Sequence, residues 1–269
     1  MAIASAVRDD IDRDYRRGYR RRLLAVSAVL GVVTLCLWYG DCFEVKRYLK
    51  GVPHVFMIIV AEGIPPDFGR YREWGWALLD TVVMSIGGTA VAIALSFPLG
   101  FLAAWNTTPN RVVYVAARGL LNLCRAIPEL ILGIILVSAV SLGLLPGIWA
   151  LGLHSVGMVG KFFAEAIEHA DPAPIEAITA TGASRLQVLL HGVLPQVWPR
   201  LADLAFYRWE YNFRASTVLG MVGCGGIGQE IQTALSLMEY RQLSALLLVV
   251  LACVCAVDSL SNRLRHATQ

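Results

Sequence analysis

Charged residues are scarce in this sequence. Only 16% of its 269 residues are Asp, Glu, Lys or Arg, while 57% are apolar or aromatic. Soluble domains carry about 25% charged residues, which they need on a solvated surface. The shortage excludes a disordered chain, a nucleic-acid binder with a basic surface, and most water-soluble enzymes. Because the charges are confined to short stretches between long apolar runs, the sequence predicts an all-α integral membrane protein.

Motifs for catalysis and metal binding are also missing. The sequence contains no G-x-x-x-x-G-K-[ST] phosphate loop, no H-E-x-x-H zinc motif and no G-x-S-x-G nucleophile elbow. Its six cysteines lack metal-ligand spacing, and no two of its five histidines lie at i,i+4. We therefore predict no catalytic and no metal-binding residues, and any ATP hydrolysis must come from another chain.

The apolar runs predict six membrane spans. A helix needs about 20 apolar residues to cross about 30 Å of hydrocarbon at 1.5 Å per residue. Six suitable runs cover residues 23–39, 77–105, 127–143, 146–170, 192–213 and 241–260. Residues 110–125 are amphipathic instead, and Arg111, Arg118 and Arg125 recur there every seven residues. That spacing suits a helix lying at the cytoplasmic surface.

A cluster of arginines sets the predicted topology. Basic residues before the first span keep the N-terminus in the cytoplasm, and six spans return the C-terminus to that side. This cluster consists of Arg16, Arg17, Arg20, Arg21 and Arg22. We divide the chain into a cytoplasmic segment (1–22), a first span that we interpret as a retained anchor (23–39), a periplasmic segment (40–76) and a core (77–265) with a cytoplasmic loop at 171–191.

The most specific pattern lies in that loop. Glu176-Ala177-Ile178 is followed after three residues by Gly182 and, nine residues later, by Gly192-Val193-Leu194-Pro195. Asp171-Pro172 is typical of a helix start, Gly182 permits a turn, and Ala183–Leu190 suits a second short helix. The pattern predicts a compact pair of short helices to which a soluble partner protein can bind.

A glycine-rich run, Gly223-Cys224-Gly225-Gly226-Ile227-Gly228, satisfies G-x-G-x-x-G. A dinucleotide site would need a preceding strand in a soluble βαβ unit, whereas this run lies between two predicted spans. We interpret it, together with Gly220, as an irregular segment at the outer membrane face, where glycine permits tight reversal and close approach of chains.

These patterns carry a family resemblance. The Glu176 pattern resembles the EAA loop of ATP-binding-cassette (ABC) importer permeases, although Ile178 and Gly192 replace its usual Ala and Ile. Four further segments resemble the permeases of phosphonate importers, and the likeness extends over most of the chain from Pro65 to Arg265. They are residues 64–68, 125–129, 180–184 with 192–196, and 208–223, the last running into the glycine-rich run.

The resemblance implies a type I ABC importer permease (MetI-like), a helical bundle of about six transmembrane helices. It implies a permease that moves phosphonate or phosphite across the bacterial inner membrane and forms a homodimer around a central path. The implied partners are cytoplasmic ATPase subunits that bind ATP and Mg, a periplasmic phosphonate-binding protein and membrane lipid, with no cofactor in this chain and no nucleic acid. ATPase docking would fall to Glu176, Ala177, Thr181, Gly182, Ala183, Leu194 and Pro195.

Charged residues within the spans are further candidates, because an unpaired charge in hydrocarbon costs several kcal/mol. Lys161, Arg208 and Arg214 are candidates for presenting positive charge to an oxyanion on the path, with Glu210 beside them. The i,i+4 spacing alternatively predicts ion pairs for Glu210–Arg214 and Lys161–Glu165. Arg125 and Glu129 share this spacing, but they lie near the inner surface, where snorkelling is the ordinary explanation. Asp258, near the inner end of the last span, is expected to snorkel.

Other functions stay open at this point. An ion-driven secondary transporter would use Asp203, Arg208 and Glu210 as a proton relay, although the two halves show no convincing inverted repeat. An ABC permease for another small solute, such as methionine or betaine, would carry a similar glycine-rich run. A membrane enzyme would need a nucleophile or metal site that the sequence does not show.

Overall fold

A computed structural model describes the backbone of residues 2–268 and their side chains, except those of residues 2–14, 16, 17, 45, 47, 54, 59 and 266–268. Every regular element in this range is helical. The chain separates into two compact units, residues 1–61 and residues 62–269. Arg16 and Arg17 of the predicted basic cluster lie outside the described side chains.

The first unit consists of two helices, α1 (Ala2–Tyr39) and α2 (Val45–Met57), and a π-helical turn follows at Ile58–Glu62. Gly18–Tyr39 within α1 is long and apolar enough to cross a membrane. Its apolar side chains are exposed within this unit, as expected of a helix whose surface meets lipid tails.

The second unit is built around one central helix, α6 (Leu144–Glu168), which packs against four neighbours. These neighbours are α3 (Tyr71–Ala103), α4 (Arg111–Ala126), α5 (Glu129–Ala139) and α9 (Leu194–Leu219). Between α6 and α9 lie α7 (Pro172–Ala180) and α8 (Arg185–Val188), and after a π-helical turn at Gly220–Cys224 come α10 (Ile227–Ser236) and α11 (Tyr240–Thr268).

Fewer helices qualify as membrane spans than the six that the sequence predicts: three in the described chain, or four if one bent pair is counted as a span. By length and composition, Gly18–Tyr39, α3 and Tyr240–Arg265 of α11 qualify as spans in the described chain, and α4 with α5 qualify only as a pair bent by 85°. Because α5 has 11 residues and is therefore about 16 Å long, the predicted straight third span, residues 127–143, is wrong. α6 and α9, with 25 and 26 residues, are each about 38 Å long, which is enough to cross, but they do not qualify by composition.

The predicted helix–turn–helix between α6 and α9 is confirmed. α7 is followed by a turn at residues 181–184 and then by α8, which continues through a π-helical turn at Leu189–Val193 directly into α9. We call residues 171–193 the coupling loop.

Candidate functional site: a coupling loop and a buried arginine

Each short helix of the coupling loop begins at a capping residue. The Asp171 carboxylate accepts a hydrogen bond from the Ala173 amide at 3.0 Å. Ser184 and Gln187 form a capping box, in which the Gln187 side chain accepts from the Ser184 amide at 2.8 Å. Between them Gly182 has φ +81°, in the left-handed region that glycine adopts at little cost. The caps satisfy backbone groups that helices of nine and four residues cannot satisfy alone.

Gln196 fastens the coupling loop to α9. Its side-chain amide nitrogen donates to the Gly192 carbonyl at 2.6 Å and to the Asp171 carbonyl at 3.3 Å. Its amide oxygen accepts from the Asp171 backbone at 2.9 Å. Ile175 and Leu189 also pack against the buried residues at the base of α9. The coupling loop is therefore attached to the first turn of α9 by hydrogen bonds and apolar packing.

The predicted docking residues are mostly at the surface. Five of them are exposed, namely Glu176, Ala177, Thr181, Gly182 and Pro195, while Ala183 and Leu194 are half-buried. Leu186 and Leu190 of the same loop are exposed too, at 65% and 45%. Exposed leucines on a loop predicted to face water indicate a surface that binds a protein partner. These two leucines are not part of the sequence motif, so sequence analysis did not name them.

The C-terminal end of α6, just before the coupling loop, is tied to two other helices. The Glu168 carboxylate accepts from Arg118 at 2.8 Å and from the Trp105 amide at 2.9 Å. Arg118 also donates to the Ala103 carbonyl at 3.0 Å. The predicted amphipathic helix over residues 110–125 is present as α4, and its Arg118 pairs with Glu168 of α6.

Most of the predicted path charges have carboxylate partners. Lys161 lies 3.6 Å from Glu165, as predicted. Arg214 pairs with Glu210, as predicted, and also with Asp258 at 3.1 Å, which joins α9 to α11. Asp258 thus pairs within the protein, and the expectation that it snorkels is wrong.

Arg208 differs from these residues. Its side chain is 2% exposed, and its Nε donates to the Ser155 hydroxyl at 2.7 Å. The guanidinium carbon lies 4.2 Å from the centroid of the Tyr211 ring. Neither terminal nitrogen has a hydrogen-bond partner. Among the described side chains, no carboxylate lies within ion-pair distance of Arg208, although Glu129 attracts its charge from beyond that distance. Arg208 is therefore the one cation of the predicted set without a salt bridge.

A polar network surrounds Arg208 and connects α5, α6 and α9. Ser155 donates to the Asn212 side chain at 3.1 Å. The Tyr211 hydroxyl donates to Glu129 at 2.7 Å, and the other oxygen of Glu129 lies 3.4 Å from His154. Glu129 pairs with Tyr211 and His154 and not with Arg125 at i,i+4, because the 85° bend falls between Arg125 and Glu129. Of these residues, sequence analysis named only Arg208 as a site, although residues 208–223 lie in a segment with the family resemblance.

The glycine-rich run is an irregular segment, as predicted. Gly223, Gly225 and Gly226 all have positive φ, and the Gly223 carbonyl accepts from the Gly143 amide at 3.0 Å. The Ile227 amide, at the start of α10, donates to the Thr81 hydroxyl of α3 at 2.9 Å. No strand precedes the run in the described chain, so it lacks the surroundings of a dinucleotide site.

These features agree with the comparisons with known proteins. The model of the family described as "Binding-protein-dependent transport system inner membrane component" matches residues 96–267, which include α6, the coupling loop, α9 and the glycine-rich run. This chain belongs to that family. The permease is therefore an inner-membrane subunit of an ABC importer, and its family implies an ATPase and a binding protein as partners.

Individual relatives agree with this assignment. The permease is 54% identical over 265 residues to the phosphite transport system permease protein PtxC of Stutzerimonas stutzeri, covering 98% of this chain and 96% of that one. It is 41% identical over 203 residues to the phosphate-import permease protein PhnE of Mycolicibacterium smegmatis, covering 76% of this chain and 38% of that one. An inward-facing structure of the MetNI methionine ABC transporter matches with a TM-score of 0.63 at 22% identity, covering 72% of this chain and 97% of that one, which shows the type I importer fold.

Proposed function

We propose that the permease imports phosphite or phosphonate, small oxyanions with tetrahedral phosphorus. The observation that carries this proposal is the 54% identity, over nearly the whole chain, to a relative named as a phosphite permease. In this proposal a periplasmic binding protein delivers the oxyanion to the outer face. Both termini lie in the cytoplasm, and ATP and Mg bind to the partner ATPase and not to this chain.

The proposed working unit is a homodimer with one coupling loop seated on each ATPase subunit. Each chain supplies a single coupling loop, and closed two-fold assembly is the commonest arrangement of identical subunits. When ATP draws the ATPase subunits together, the coupling loops move with them, and Gln196 passes the motion to α9. Rigid-body rocking of the two copies then opens the central path outward, and hydrolysis resets it.

The secondary-transporter alternative gains no support from the geometry. Asp203 contacts Arg200 at 3.5 Å and Arg265 at 3.0 Å, whereas Glu210 pairs with Arg214. Arg208 bonds to Ser155 instead. The three proposed relay residues thus have separate partners, and within the described chain no hydrogen bond or ion pair joins them to one another.

Uptake into proteoliposomes tests the proposed function. The permease is reconstituted with its ATPase and binding protein, and labelled phosphite and a labelled alkylphosphonate are offered with phosphate, methionine and betaine as competitors. We expect uptake that requires ATP and that only phosphite and phosphonate block. Uptake driven by a pH gradient without the ATPase would favour the secondary transporter, and competition by methionine or betaine would reassign the cargo.

Gln196→Ala tests transmission through the coupling loop. The substitution removes three hydrogen bonds, each worth about 1 kcal/mol, and leaves the exposed docking residues unchanged. We expect ATP-driven uptake to fall several-fold while the permease still copurifies with its ATPase. The matched control is Gln232→Ala, an exposed position on α10, which should transport normally. Equal uptake by the two variants would refute the role of Gln196.

A further inference from the structure

We infer that Arg208 is an oxyanion-binding site inside the permease, covered in this conformation by Tyr211. The inference deepens the proposed function, since it assigns an intramembrane contact for a tetrahedral phosphorus oxyanion. It begins from a guanidinium that is 2% exposed and whose terminal nitrogens have no partner.

The N–H donors of Arg208 that lack a partner are arranged as an oxyanion requires. Arginine carries five N–H donors, and the bond from Nε to Ser155 uses one of them. The remaining four belong to the two terminal nitrogens, whose planar fork matches two oxygens of a phosphorus oxyanion. Ser155 is in turn held by Asn212, so the guanidinium has a fixed orientation before any ligand arrives.

Arg208 differs from the other two cations in the predicted spans, Arg214 and Lys161. Arg214 is neutralised by Glu210 and Asp258, and Lys161 lies beside Glu165. A carboxylate partner would compete with an anionic ligand for the same donors. Arg208 has no carboxylate at bonding distance, and the Glu129 carboxylate that attracts it is hydrogen-bonded to Tyr211. An aromatic ring and a hydroxyl hold the Arg208 cation without using its terminal nitrogens.

Tyr211 has the properties of a movable cover. Its ring lies over the Arg208 guanidinium, and its hydroxyl is held by Glu129, the first residue of α5 after the bend. A cavity of about 260 Å³ is lined by Tyr211 together with Glu129 and Arg214. Movement of α5 away from α9 would release the hydroxyl and let the ring swing off the guanidinium. Access to the site would thus depend on the same rocking that opens the path.

Direct binding of inorganic phosphite tests the inference. Titration calorimetry is performed on the permease with its ATPase in lipid nanodiscs, without binding protein, and with sodium chloride at matched ionic strength as the blank. We expect saturable binding by the wild type, binding weaker by at least about tenfold in Arg208→Gln, and an intermediate affinity in Arg208→Lys, which keeps the charge but loses the fork. Arg111→Gln removes an exposed positive charge from α4 and should bind like the wild type.

A loss of folding is separated from a loss of binding by measuring melting temperature and monodispersity for each variant. If Arg208→Gln does not fold, Arg208→Lys decides: wild-type affinity in that variant overturns the inference. Tyr211→Phe keeps the ring but removes its bond to Glu129, so phosphite should associate several-fold faster in stopped-flow measurements. An unchanged or slower association rate would refute the role of Tyr211 as a cover.

The uptake experiment distinguishes a failure of the Arg208 inference from a failure of the proposed function. A wild type that takes up phosphite but shows no binding in nanodiscs overturns the Arg208 site alone. A wild type that takes up neither phosphite nor phosphonate overturns the proposed cargo, whatever the calorimetry shows.

Discussion

Gly182→Asp is expected to abolish ATP-driven uptake while leaving the permease folded in the membrane. A side chain at position 182 meets nothing within 4 Å in this chain, so the substitution causes no internal clash. The φ of +81° costs an Asp residue about 1 kcal/mol, too little to unfold a membrane bundle. The expected loss therefore arises where the coupling loop meets the ATPase, to which the new side chain adds bulk and negative charge.

The matched control is Gly182→Asn. Asn has almost the same size as Asp and adopts positive φ about as readily, but it carries no charge. We expect this variant to retain part of the uptake and to copurify with the ATPase better than Gly182→Asp. Membrane insertion is followed by quantitative blotting, and normal uptake by Gly182→Asp would remove the docking proposal.

Gly228→Ala is expected to prevent stable folding of the second unit. A Cβ at this position would overlap the Thr217 carbonyl oxygen and lie 2.9 Å from the Gly220 Cα. Because these are backbone atoms, α9 and α10 would have to separate, and overpacking of this kind costs about 3 kcal/mol. That is a large part of the total stability of most domains. We expect the yield of monodisperse permease in detergent to fall severalfold and the melting temperature of the remainder to drop.

The matched control is Gly119→Ala, the same substitution at a position where it should not destabilise the fold. Gly119 is an exposed residue within α4, and its Cβ would meet nothing within 4 Å. Alanine stabilises a helix interior by roughly 0.5–1 kcal/mol relative to glycine. A similar melting temperature for the two variants would contradict the close approach of chains at the glycine-rich run.

Local patterns predicted the elements that depend on neighbouring residues. The helix start at Asp171 and the pairs Lys161–Glu165 and Glu210–Arg214 follow from local geometry, which brings residues three or four apart together. The turn at Gly182 was likewise visible as a glycine between two helical stretches. Arg125 and Glu129 have the same i,i+4 spacing but do not pair, because the chain bends by 85° between them.

The candidate oxyanion site depends on long-range contacts that local sequence patterns could not predict. Sequence analysis named Arg208, Arg214 and Lys161 together as path cations, and i,i+4 spacing supplied carboxylate partners for Arg214 and Lys161 only. It did not show that Asp258, 44 residues from Arg214, is a second partner of that arginine, or that Ser155, 53 residues from Arg208, accepts from its Nε. Neither spacing has a counterpart in helix periodicity, so the packing of α6 and α11 against α9 decides these contacts.

The sequence by itself therefore determined the environment and the elements of this permease. An apolar composition with few charges requires lipid around it, and in lipid the backbone must satisfy its hydrogen bonds within helices. The tertiary structure alone decided that Arg118 turns inward to Glu168, that α5 stops short of a full span, and that Arg208 keeps its terminal nitrogens unpaired. These outcomes depend on how helices pack over long sequence separations, and packing is set by the whole bundle and not by any one segment.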